Sequence, residues 1–178
     1  MPLKENSYKD LFLSEDVLKG SSYVDDNTDP KLVLQAIRTA QQLKLQPLLG
    51  TALYVDLQEK LQNDSLNEDE LGLIKMYIAD TLTWFAVAEL TIFGTFRLRN
   101  MGLGRQNDNE NNFVSAELTE AREVADAALN RAEQYGERMI AFIKANKHKF
   151  PAYEDCSTAN DEDLPGAETA YTCPIFLG

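Results

Sequence analysis

The chain has 178 residues, with 17 Lys and Arg against 29 Asp and Glu, for a net charge of −12. A domain of this length buries roughly 70% of its unfolded surface, so it needs neither metal nor disulfide, and two ordinary domains would not fit. The acidic balance speaks against a nucleic-acid-binding module, which needs a basic footprint for phosphates, and 44% hydrophobic residues exclude a disordered chain.

Periodicity predicts helices nearly throughout and no strand. Residues 1–29 read as an irregular N-terminal segment with one helical turn at Ser14–Lys19, capped by Ser14 and stopped by Gly20. Asp29-Pro30 is a strong start signal, with Asp as N-cap and Pro in the first helical position. The helix it opens sets Val33, Ala36, Ile37, Ala40 and Leu43 on one face, with Lys31, Gln35, Arg38 and Gln42 on the other. Pro47 should end it, and Gly50-Thr51 reads as a turn glycine followed by an N-cap threonine. A short helix at about 52–62 then carries Leu53, Leu57 and Leu61 in one ridge.

Asn63-Asp64-Ser65 breaks the chain before two overlapping capping boxes, Ser65-x-x-Glu68 and Asn67-x-x-Glu70. The helix predicted over about 68–97 is the centre of the fold. Leu71, Ile74, Ile78, Leu82, Phe85 and Glu89 recur at three or four residues, while Leu73, Tyr77, Trp84, Val87 and Phe93 occupy other faces. A helix apolar nearly all round is enclosed by other helices. Asp80 and Glu89 interrupt its apolar run, which argues against a membrane span. With the short early apolar run Leu11-Phe12-Leu13, no signal peptide is expected and the protein reads as soluble and intracellular.

Residues 100–114 read as an exposed loop rich in asparagine and glycine. The last helix, predicted over about 115–147, has Leu118, Ala121, Ala125, Ala128, Ala132, Tyr135, Met139 and Phe142 in a heptad seam. Its alanines let another helix approach closely, so Ala121, Ala125, Ala128, Ala132 and Tyr135 are candidate subunit-interface residues. Residues 150–178 read as an extended C-terminal arm, acidic from Glu154 to Glu168 and apolar at the end. Tyr171, Ile175, Phe176 and Leu177 are its candidate docking anchors; the other reading folds the same residues back over the last helix. Cys156 and Cys173 lack metal or redox spacing and read as free thiols.

Little in the chain supports catalysis. His148 is the single histidine, set between Lys147 and Lys149 at a helix end, where a dipole-complementing cation is expected. The alternation Asp108, Glu110, Asn112 departs from a calcium loop at Phe113 and Thr119. No cofactor, metal or catalytic residue is expected. The fold expected is an all-α bundle: a helical domain over residues 30–149, a long buried central helix, a long C-terminal helix and an extended arm.

The stretch Gln46-Pro47-Leu48-Leu49-Gly50-Thr51-Ala52-Leu53-Tyr54, with the helix Ala36-Ile37-Arg38-Thr39-Ala40-Gln41 before it, resembles the small helical head–tail connector proteins of tailed bacteriophages. It is closest to those of phages of Bacteroidetes hosts, including crAss-like phages. Pro47, Leu48, Leu49, Gly50, Leu53 and Tyr54 form the shared turn motif. The resemblance implies a structural virion protein at the neck, assembled in the host cytoplasm and commonly present as a dodecameric ring. The ring would sit beneath the portal, contact tail or other neck proteins, and let DNA pass without specific binding or membrane contact. The alternative is a non-enzymatic cytosolic adaptor that binds one protein partner.

Overall fold

A computed structural model describes residues 10–93, 96–99, 102–105 and 118–153. In chain order its elements are α1 (Glu15–Ser21), α2 (Pro30–Ala40), a π turn (Gln41–Leu45), α3 (Gln46–Leu49) and α4 (Thr51–Gln62). These are followed by α5 (Glu68–Leu73), a second π turn (Ile74–Ile78), α6 (Ala79–Phe93), β1 (Phe96–Arg99), β2 (Gly102–Arg105), α7 (Leu118–Ala145) and a 3-10 turn (Lys147–Lys149). The architecture is all-α, with one small antiparallel hairpin appended.

α6 lies between α7 and α2, and the core forms where these three meet. The segment Glu68–Ile92 is long and apolar enough to cross a membrane by length and composition. Leu73, Ile78, Leu82, Phe85, Ala86 and Val87 along it are instead buried within the helical body. An apolar surface on nearly every side is what a helix enclosed by its own chain requires.

Local chemistry explains most boundaries. Asp29 accepts from the Lys31 backbone N–H at 3.0 Å, and Pro30 takes the first helical position. Of the two possible capping boxes the chain uses Asn67–Glu70: Asn67 Oδ1 accepts from Glu70 N–H at 2.8 Å, and Glu70 Oε2 accepts from Asn67 N–H at 3.0 Å. After α4, Asp64 takes a left-handed φ of 51° and the Ser65 N–H reaches back to the Lys60 carbonyl at 2.9 Å, closing the helix end.

Several expectations require correction. Pro47 does not end its helix; the chain continues through the π turn and α3 to Leu49, and Gly50, at φ 75° and ψ 154°, makes the break. Gly50 rather than Thr51 stands at the N-cap of α4. The wide turn inserts one residue into the helical count, which swings Leu43 out to 65% exposure and brings Gln41 and Leu45 inside. The second wide turn rotates α5 against α6 in the same way, so Leu73 is buried and Leu71 is not.

The central helix stops at Phe93, and part of the predicted loop is a hairpin in which Arg97 pairs with Gly104 and Leu98 with Leu103. The domain boundaries also move. Phe12, Leu13 and Leu18 lie in the core, as do Phe150 and Tyr153, so the helical body extends on both sides of residues 30–149. Ser14 caps α1 as expected, but the helix runs on through Gly20 to Ser21.

Candidate interaction surfaces

The predicted turn motif is a structural corner. Leu48, Leu49, Leu53 and Tyr54 are buried and Pro47 is half-buried. Tyr54 meets Phe12 edge-on, with ring centroids 5.7 Å apart. Its hydroxyl accepts from Gln41 Nε2 at 3.2 Å, and burial pushes the phenol pKa up, the Gln41 bond opposing that effect and the Asp10 charge adding to it. Gln41 also donates to the Asp10 carbonyl at 2.8 Å and accepts from the Phe12 N–H at 2.9 Å. Gln58 and Gln62, one turn apart on α4, hold Asp10 as well, at its carbonyl (3.2 Å) and carboxylate (2.8 Å). The corner therefore clasps residues 10–12 against the body. Only the π turn reveals this, because in an unbroken helix Gln41 reads as an ordinary polar residue beside the wet face.

The corner also meets the last helix. A Cβ built on Gly136 would stand 3.2 Å from Leu48 Cδ1, tighter than most such contacts, and at an ordinary 3.8 Å from Thr81 Cγ2, so glycine eases the close approach of α7 to α3.

The alanine seam is used inside the chain. Ala121, Ala125, Ala128 and Ala132 are 6%, 0%, 2% and 0% exposed, and Ala128 packs with Val87 and Ala88 of α6. The seam does bring helices close, but the partner is the chain's own central helix. These four residues are therefore not a free face for a neighbouring subunit. Tyr135 is half-buried and faces outward into a groove. Tyr171, Ile175, Phe176 and Leu177 lie outside the described residues, as do both cysteines and residues 106–117.

The groove, of about 460 Å³, is lined by Trp84 of α6 and by Arg131, Gln134, Tyr135 and Arg138 of α7. The Arg131 guanidinium lies 4.6 Å from the Trp84 ring centroid, and that of Arg138 lies 5.4 Å from the Tyr77 centroid. Tyr77 stacks on Phe142 at 4.3 Å, and Phe142 leans on Phe150 at 6.1 Å. Arg131 and Arg138 escaped the sequence reading; their spacing of seven on one helix face was the available signal. A second concavity of about 470 Å³ is acidic and apolar, with Tyr23, Asp25, Asp29, Val87 and Leu90 among its walls. The rings of Tyr23 and Trp84, 6.1 Å apart, stand between the two.

Charge also organises the opposite end. Lys60 bonds Asp56 at 2.7 Å and the buried Glu70 at 2.6 Å, and these two carboxylates hold the Lys60 pKa above its ordinary value. Lys149 bonds Asp69 at 2.7 Å, tying the chain beyond α7 to the start of the central helix. Asp80 and Glu89 are half-buried and make no ion pair among the described residues. No group of three or more His, Cys, Asp or Glu side chains among the described residues is placed to hold a metal ion.

Comparison with curated proteins and with solved structures finds no match. A family model does match residues 45–163, two thirds of the chain, taking in the Pro47–Tyr54 corner, the central helix, the hairpin and α7. The chain therefore belongs to the family described as a family of unknown function, DUF6712.

Proposed function

We propose that the protein is a structural virion component, one subunit of a head–tail connector ring that continues the DNA channel below the portal. The observation that carries the reading is the resemblance of the Pro47-Leu48-Leu49-Gly50 corner and the helix order around it to phage connector proteins. The corner's construction adds support: it joins the N-terminal segment, α4 and α7 into one body suited to transmitting load between layers.

The charge is compatible with such a role. A net charge of −12 repels phosphate, as a conduit that must release DNA requires. Because the alanine seam is internal, ring contacts in this reading fall to other faces. Leu43, Val55, Met76 and Val124 expose apolar side chains on four different elements. A closed ring of identical subunits needs two different complementary patches on each copy, and apolar groups distributed in this way could supply both.

Quantitative mass measurement of purified phage particles tests the proposal. A connector is present at about twelve copies per particle, matching the portal. Absence from particles, or one copy bound to a single soluble partner, overturns the connector reading and leaves the adaptor.

A further inference from the structure

The groove on α7 presents two cations and, among the described residues, no anion. Arg131 and Arg138 are exposed, seven residues apart and hence about 10 Å apart along the helix axis. Each lies over an aromatic ring, and neither makes an ion pair among the described residues. Among the described residues no carboxylate lines the groove, although the chain carries 29 acids against 17 bases. A guanidinium held over a ring keeps N–H donors that can take a carboxylate in bidentate fashion.

We propose that this groove is the docking site for the acidic stretch of the same chain, residues 154–168, with Asp161, Glu162 and Asp163 meeting the two arginines. Charge complementarity is the first argument. The stretch holds six carboxylates, and no Lys or Arg occurs from residue 154 to the end of the chain. Reach is the second. The stretch starts directly after Tyr153, which is buried in the helical body. α7 ends at Ala145, which places Arg138 about 10 Å and Arg131 about 21 Å back along its axis. Eight to ten extended residues beyond Tyr153 span roughly 26–35 Å, which covers both. Tethering is the third, since a covalently attached ligand has an effective concentration that a free acidic peptide rarely matches. The inference rests on the groove and does not depend on the connector reading.

Trp84 is the only tryptophan of the chain and lies at the groove, so its fluorescence reports occupancy. Acrylamide quenching is compared between the full-length protein and a full-length variant carrying D161N, E162Q and D163N, at low and at high salt. The expected result is a higher quenching constant and red-shifted emission in the variant. High salt should produce the same change in the unaltered protein and little in the variant. The unaltered protein's protection should persist on hundred-fold dilution. Equal quenching of the two proteins at low salt overturns the proposal. Protection that vanishes on dilution overturns it as well, because the acidic stretch would then come from another copy.

Discussion

Gln41 Oε1 accepts the backbone N–H of Phe12 at 2.9 Å across 29 residues of chain, from a side chain that is itself buried. The same amide donates to Asp10 and to Tyr54, so one glutamine satisfies three polar groups from two segments, the N-terminal residues 10–12 and α4. A buried donor left without a partner costs about 1–3 kcal/mol. Gln41→Leu keeps much of the volume but strands the Phe12 N–H. It should therefore lower unfolding free energy by about that amount, read from urea denaturation. Tyr54→Phe removes a single bond and should cost less, about 1 kcal/mol. Equal stability of Gln41→Leu and the unaltered protein would show that the clasp contributes nothing.

At Gly136 two effects oppose each other. Alanine is favoured over glycine inside a helix by about 1 kcal/mol, yet its Cβ would press on Leu48 Cδ1 at 3.2 Å. Gly136→Ala should therefore change stability by less than about 1 kcal/mol in either direction. Gly136→Leu gains nearly the same helix preference, but its larger side chain cannot fit against Leu48, so a net loss of about 1–3 kcal/mol by overpacking is expected. Thermal melts of the two variants separate these cases.

The buried seam makes Ala128→Glu a test of the monomer itself. The carboxylate would be placed against Val87 and Ala88 in an apolar cluster. An uncompensated buried charge costs about 3–5 kcal/mol. The melting temperature of the isolated protein should fall sharply and by the same amount at every protein concentration. A loss confined to assembly, with the isolated protein unchanged, would place this face at a subunit boundary after all.

Alkaline pH should weaken the fold through two groups. The Lys60 pKa is held above its ordinary 10.5 by Asp56 and Glu70, so the folded state keeps its proton longer than the unfolded chain does. That contribution is complete below the ordinary value and disappears as pH rises through the raised one. Tyr54, pushed above its ordinary 10.0 by burial, acts in the same direction, because the unfolded phenol ionises first. Urea midpoints measured from pH 8 upward should fall above about pH 10. The Lys60→Met and Tyr54→Phe variants should each lose part of that fall, and a parallel decline in both would refute the assignment.

The all-α class, the Asp29 and Asn67 caps, the buried central helix and the long last helix could all be read from the sequence, because each rests on contacts within a few residues. The close-packing role of the alanines was legible too, but not their partner, since a small apolar face looks the same whether its own chain or another covers it. Tertiary structure alone decided the two π turns. One extra residue in a helical turn leaves no distinct mark in composition, yet it moved Leu43 outward and brought Gln41 in to hold the N-terminal segment. It also decided the Trp84–Arg131 contact, whose members are 47 positions apart and meet only because α6 and α7 pack side by side. Local preferences fix where helices begin and end, whereas the groove and the clasp depend on distant side chains converging, which only packing can determine.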